Sequence, residues 1–180
     1  MTASRVWKVC DIDGMKIFLT ADFDPKETSS HALLAELLGM EQEELERRLV
    51  YGPHGKPELP DGPAFSVSHS GRYWAVLISY DESAGGKPSV GLDIQVSVPA
   101  SYESIAKRFF REEEAALVTA ASDEEARREA FFRLWTKREA LLKAAGESVF
   151  RRTEALTDVE VKEIALTEGL YAASAVKRAE

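Results

Sequence analysis

Trp135-Thr136-Lys137-Arg138-Glu139-Ala140-Leu141-Leu142-Lys143 is the stretch on which the rest of this chain turns. Trp135, Glu139 and Lys143 recur every four residues, which stacks them along one stripe of a helix. Phe131, Leu134, Leu141 and Ala145 recur near the helical period beside that stripe and are the expected core face. Glu139 and Lys143 then stand at the edge of the buried face, where a carboxylate can meet a metal and an ammonium a phosphate. The same spacing also describes a solvent-facing Glu–Lys pair, worth about 0.2–0.5 kcal/mol. Ser122 with Glu125 forms a capping-box pattern, and Gly146 stops a helix of roughly 23 residues.

Outward from this helix the pattern is α+β. Val6–Val9 and Met15–Leu19 read as strands around Asp13-Gly14. Thr28, Ser29 or Ser30 can cap a helix through Leu38, which Gly39 ends. Glu41–Val50 reads as a second helix. Tyr51 to Pro63 carries so many Gly and Pro residues that a loop is expected. Ala64–Ser68 and Tyr73–Tyr80 read as strands split by His69-Ser70-Gly71, the second of them central because it is apolar almost throughout. After a Gly-rich connection over Ser83–Ser89 comes the strand Val90–Val96. Ser101 caps a helix to Phe109 or Phe110, and Glu112–Ala121 forms another. Strands near Val159–Leu166 and Leu170–Val176 close the chain.

Two of these strands carry chemistry. Along Val90–Val96 the apolar Val90, Leu92, Ile94 and Val96 alternate with Gly91, Asp93 and Gln95. Asp93 and Gln95 thus share a face beside a glycine that leaves room for an approaching ligand. Two oxygen donors there suit a hard cation such as Mg²⁺; a solvent-facing strand face is the alternative. In Phe65-Ser66-Val67-Ser68-His69-Ser70-Gly71 the apolar residues face the core and the serines lie opposite. Hydroxyls, backbone N–H groups and an imidazole at such a turn can hold a phosphate. They can equally be a Ser-rich turn with a structural His.

The composition narrows the field. The 180 residues are 44% hydrophobic and 30% charged, enough for one sizeable core. A net charge of −8 argues against general nucleic-acid binding, which needs a basic face. The single cysteine, Cys10, excludes an internal disulfide and a Cys-based zinc site. No signal-like segment or run of about 20 apolar residues is seen, so a cytoplasmic protein that does not engage a membrane is expected.

Five segments in order resemble the 4′-phosphopantetheinyl transferase family in its monomeric, two-lobed form. They are Gly55-Lys56-Pro57, Phe65 to Gly71, Val90-Gly91-Leu92-Asp93-Ile94, Arg108-Phe109-Phe110 with Glu114, and Trp135 to Lys143. The resemblance implies an α+β fold of two similar lobes, residues 1–89 and 90–180. Each lobe is an antiparallel sheet with helices, the two related by pseudo-twofold symmetry around a shared cleft. It implies transfer of 4′-phosphopantetheine from coenzyme A to a serine of an apo acyl or peptidyl carrier protein, with Mg²⁺, releasing 3′,5′-ADP.

By resemblance Asp93, Gln95 and Glu139 hold the metal, and Glu139 also takes the serine proton. Lys143 holds the pyrophosphate, Ser68 and His69 bind coenzyme A phosphates, and Lys56 lies in the loop against the adenine nucleotide. Glu114 helps organise the metal site, and Trp135 packs the lobe interface. Gln95 stands where many relatives carry an acid, and Arg138 where Lys usually precedes the glutamate. Few cations lie near the N-terminus for the 3′-phosphate: Arg5, Lys8, Lys16 and Lys26. A non-catalytic coenzyme A or carrier-binding module and a Ser/His hydrolase using Ser68 or Ser70 with His69 are the alternatives. The sequence does not name the carrier or say whether acyl-coenzyme A is accepted.

Overall fold

The computed structural model describes residues 5–81, 86–148, 153 and 156–178. Over these described residues it is an α+β fold built from antiparallel sheets and five helices. Strands β1 (Lys8–Ile12), β2 (Met15–Thr20), β5 (Ala64–Ser70) and β6 (Tyr73–Ser79) form a sheet in the order β1-β2-β6-β5. Strands β7 (Ser89–Val96), β8 (Val159–Glu163) and β9 (Leu170–Lys177) form another in the order β7-β9-β8. The central strand expected at Tyr73–Tyr80 is β6, flanked by β2 and β5. Residues 82–85 of the expected Gly-rich connection lie outside the described residues.

Alternation along the strands produces four layers. One face of the first sheet, with Phe65, Trp74, Val76 and Ile78, packs on helices α1 (Ser30–Leu38) and α2 (Gln42–Arg48). Trp74 is fully buried there, and its indole N–H donates to Ser30 Oγ at 2.7 Å, which keeps the polar edge of a large apolar group satisfied. The opposite face, with Ile17, Leu19, Ala75 and Leu77, packs on Val90, Leu92, Ile94 and Ala172 of the second sheet. The far side of that sheet carries helix α5 (Glu124–Ala145). Helices α3 (Tyr102–Phe109) and α4 (Glu112–Thr119) pack beside α5 through an aromatic cluster.

Three local expectations are corrected. Residues 51–63 are not all loop: β3 (Val50–Tyr51) pairs with β4 (Pro57–Glu58), and the chain reverses through Gly55 at φ 77°. Pro57 is tolerated because this ribbon has only two strands and both are edges. Helix α5 is capped by Asp123, whose carboxylate accepts from Ala126 N–H at 2.8 Å, rather than by Ser122. Of its expected core stripe Phe131, Leu134, Leu141 and Ala145, only Phe131 is buried. Phe132, Thr136, Ala140 and Ala144 are buried, one every fourth residue, while Leu134, Leu141 and Ala145 are only half-buried. Small side chains line that stripe because the sheet beneath offers Gly91, Ala173 and Ala175, which lets the helix backbone come close.

Candidate active site

The site begins at the seam between β5 and β7. Strand β7 pairs with β9 on one side only, which leaves alternate backbone N–H groups on its other side without a sheet partner. The serines of β5 take them. Leu92 N–H donates to Ser66 Oγ at 2.9 Å, Ile94 N–H to Ser68 Oγ at 3.1 Å, and Val96 N–H to Ser70 Oγ at 3.0 Å. Each such bond contributes about 1 kcal/mol net, and losing one strands a buried donor. Ser68 also donates its own proton to Asp93 Oδ1 at 3.0 Å.

Helix α5 closes the site from the other side. Gly91 is not a gap for a ligand, as its place in the strand suggested. A Cβ there would lie 1.9 Å from Ala140 O and 2.7 Å from Ala144 N, so the space is filled by the α5 backbone. Two residues further along the same face, Asp93 is buried under α5 and is not a solvent-face acid. This contact sets Lys143 Nζ 2.8 Å from Asp93 Oδ1 and 2.9 Å from Leu92 O. Residues that α5 would otherwise show to solvent are thereby drawn to a strand distant in sequence.

The electrostatics of this cluster are unfinished. Asp93 Oδ2 and Glu139 Oε1 are both buried and have no hydrogen-bond partner. Burial raises the Asp93 pKa above the usual carboxylate range, against the Lys143 charge and the Lys143 and Ser68 hydrogen bonds, which lower it. Burial also raises that of Glu139, and the charge of Asp93 raises it further, against Lys143 and Arg138. A buried carboxylate and a half-buried one that repel each other, each with a buried oxygen unpartnered, are a donor set that a divalent cation fits. Among the described residues no three His, Cys, Asp or Glu side chains are grouped to hold a metal. Gln95, half-buried on the Asp93 face of β7, offers an amide oxygen as a further donor.

The residues expected to bind coenzyme A are more dispersed. A cleft of about 240 Å³ runs beside the end of α5, with Gly55, Lys56, Pro57, Val67, Leu142 and Lys143 in its walls. Lys56 and Lys143 thus share one cleft. The Lys56 ammonium is held by the start of β7, donating to Ser89 Oγ and Val90 O, both at 2.9 Å. Its burial lowers its pKa. His69 is exposed and lies against Phe23, ring centroids 5.3 Å apart. It belongs to β5 itself rather than to the turn, so it and Ser68 point to opposite faces. A Ser/His hydrolase has no geometry behind it for the same reason, since the hydroxyls of Ser68 and Ser70 are engaged by β7.

Other expected roles shift. Glu114 is not at the metal site: its carboxylate accepts from Arg111 N–H at 3.1 Å and pairs with the Arg111 guanidinium at 2.6 Å, capping α4. Trp135 does not pack between the sheets but stacks on Phe131 at 5.8 Å, with Phe109 and Phe110 around it. Arg138 is buried and reaches Thr153 Oγ1 at 3.5 Å. Of the N-terminal cations, Arg5 donates to Asp22 O, Lys8 to Leu166 O, and Lys16 pairs with Asp11; neither they nor Lys26 line the cleft beside Lys143. A larger groove of about 520 Å³ lies between α5 and the β8–β9 turn, but its charged walls, Arg133 and Glu163, pair with each other. The serine ladder was the residue set that sequence reasoning missed. Its signal was Ser66, Ser68 and Ser70 at alternate positions, the period of one strand face.

The comparisons agree with the geometry. Residues 89–173 match the model of the 4′-phosphopantetheinyl transferase superfamily, a span that contains Asp93, Glu139 and Lys143. The putative 4′-phosphopantetheinyl transferase slr0495 of Synechocystis sp. is 37% identical over 122 residues, covering 65% of this chain and 46% of that protein. The 4′-phosphopantetheinyl transferase HetI of Nostoc sp. is 34% identical over 138 residues, 72% of this chain and 54% of HetI. Sfp of Bacillus subtilis, also a 4′-phosphopantetheinyl transferase, is 36% identical over 98 residues, 53% of this chain and 40% of Sfp. The chain spans about half the length of these relatives. Over residues 89–173, which carry Asp93, Glu139 and Lys143, this chain is similar to the 4′-phosphopantetheinyl transferase superfamily.

Proposed function

We propose that this protein is an enzyme that transfers 4′-phosphopantetheine from coenzyme A to a serine of an apo acyl or peptidyl carrier protein, with Mg²⁺. The observation that carries this reading is the meeting of Asp93, Glu139 and Lys143, with two buried carboxylate oxygens unpartnered. The carrier hydroxyl forms a bond to the β-phosphorus of the pyrophosphate. The bond from that phosphorus to the bridging oxygen breaks, and 3′,5′-ADP leaves. Such chemistry depends mainly on positioning and charge stabilisation.

Asp93, Glu139 and Gln95 would hold the metal. When bound, it neutralises charge on the pyrophosphate and orients the leaving group. Glu139 takes the serine proton. Lys143 lines both the metal cluster and the cleft, so its ammonium can hold the pyrophosphate between them. Lys56 supports the cleft wall from which the nucleotide is contacted. His69 is assigned to a non-reacting phosphate, and Ser68 stays next to the phosphates through Asp93.

We further take residues 1–89 and 90–180 as two lobes of one monomeric unit acting in the cytoplasm. Among the described residues no helix is long and apolar enough to cross a membrane. The test is incubation with Mg²⁺, a coenzyme A carrying a fluorescent pantetheine arm, and a panel of apo carriers. Fluorescence on a carrier band supports the transferase. Tight coenzyme A binding with no carrier labelled would favour the non-catalytic binding module.

A further inference from the structure

Resting on the metal reading above, we propose that Ser68 is a positioning residue for Asp93, fixing the carboxylate so that Oδ2 is presented to the metal. A serine hydroxyl has one proton to give. Ser68 accepts from Ile94 N–H at 3.1 Å and gives its proton to Asp93 Oδ1 at 3.0 Å. Lys143 Nζ holds the same oxygen at 2.8 Å. Two donors converge on Oδ1, and the carboxylate is locked about its last torsion. Oδ2 is left buried and without a partner, as is Glu139 Oε1. Of the three ladder hydroxyls, Ser68 is the one that donates to a carboxylate; Ser70 makes the same backbone rung, to Val96 N–H at 3.0 Å. With its proton given to Asp93, Ser68 acts on the metal ligand.

The test uses the full chain without coenzyme A, titrated with Mn²⁺ and read by the spin-resonance signal of the free ion. Loss of a group that orients a metal ligand commonly weakens affinity by about 10- to 100-fold. Ser68→Ala is expected to weaken Mn²⁺ binding by about tenfold or more. Ser68→Cys, which keeps a side chain in place but offers only a weak donor, should weaken it in the same direction. Ser70→Ala removes an equivalent rung and should leave Mn²⁺ affinity within about twofold, since its hydroxyl orients no metal ligand. Thermal midpoints of the Ser68 and Ser70 variants separate lost folding from lost positioning. Equal Mn²⁺ affinity in wild type and both Ser68 variants overturns the role of Ser68 while leaving the metal site standing. So does an equal loss in Ser70→Ala. No Mn²⁺ binding by the wild-type protein overturns the metal reading and this inference with it.

Discussion

Lys143 Nζ lies 2.8 Å from Asp93 Oδ1, across 50 positions of sequence. The pair joins helix α5 to strand β7, and Gly91 is what lets the two elements come close enough to make it. Breaking it from the lysine side strands a buried carboxylate, at a cost of about 1–3 kcal/mol. Lys143→Ala should therefore lower the thermal midpoint of the metal-free protein by several degrees. Added Mg²⁺ should restore part of the loss by supplying another cation to Asp93. In steady-state kinetics Lys143→Ala should depress kcat strongly, whereas His69→Ala should mainly raise KM for coenzyme A. The opposite pattern would show that the two roles are exchanged.

Gly91→Ala tests the close approach itself. The added methyl meets Ala140 and Ala144 backbone atoms, which cannot swing aside as a side chain can. Overpacking of this kind costs about 1–3 kcal/mol and sometimes more. The helix must lift, and Glu139 and Lys143 move with it. The variant should be less stable and lose divalent-cation binding together. A variant as stable as wild type would show that the helix–strand contact is looser than described.

Glu139 sets function against stability. Burial and the neighbouring Asp93 raise its pKa, so the folded protein holds this proton more tightly than the unfolded chain. Stability of the metal-free protein then falls as pH rises from the ordinary carboxylate range through the raised folded value. Glu139→Gln removes the titration. In excess EDTA it should be more stable than wild type at neutral pH, by about 1 kcal/mol or a few degrees. At acid pH, where Glu139 is protonated, the advantage should vanish. Its divalent-cation binding and transfer activity should be lost. Parallel melting curves from about pH 4 to about pH 7 check the sign.

Much of this was legible in the chain. The glycines that end helices at 39 and 146 and the alternation along β7 follow from local chemistry and stand as expected, and the cap of α1 is Ser29, one of the three candidates Thr28, Ser29 and Ser30. The side of β7 that carries Asp93 was right, but its environment was not. Gly91 reads locally as open space, and only the tertiary fold shows which backbone fills it. The same holds for α5, where Leu134 and Leu141 looked like core. The sheet selects the alanines instead, because it presents Gly91, Ala173 and Ala175. Ser66, Ser68 and Ser70 showed their period but not their partner, since nothing in the sequence says that β7 lacks a neighbour on that side. Glu114 was misplaced because an acid in the first turn of a helix can serve its own cap as readily as a distant site.

Gln95 gives a prediction in the direction of gain. An amide brings less charge to a cation than a carboxylate does, so the site should rely on the pyrophosphate for part of its metal affinity. Gln95→Glu should tighten Mg²⁺ binding to the coenzyme-free protein and lower the Mg²⁺ concentration that gives half-maximal transfer. Gln95→Ala should keep measurable activity, unlike Asp93→Ala. An unchanged Mg²⁺ dependence in Gln95→Glu would place residue 95 away from the metal.

The proposed transfer runs through Asp93 and Glu139. The most direct measurement is the intact mass of apo carrier proteins after incubation with coenzyme A, Mg²⁺ and the protein. At least one carrier should gain the mass of a single phosphopantetheine group. No gain is expected with Asp93→Ala, with Glu139→Ala, or in excess EDTA. No gain on any apo carrier, or an undiminished gain with both carboxylates removed, would contradict it.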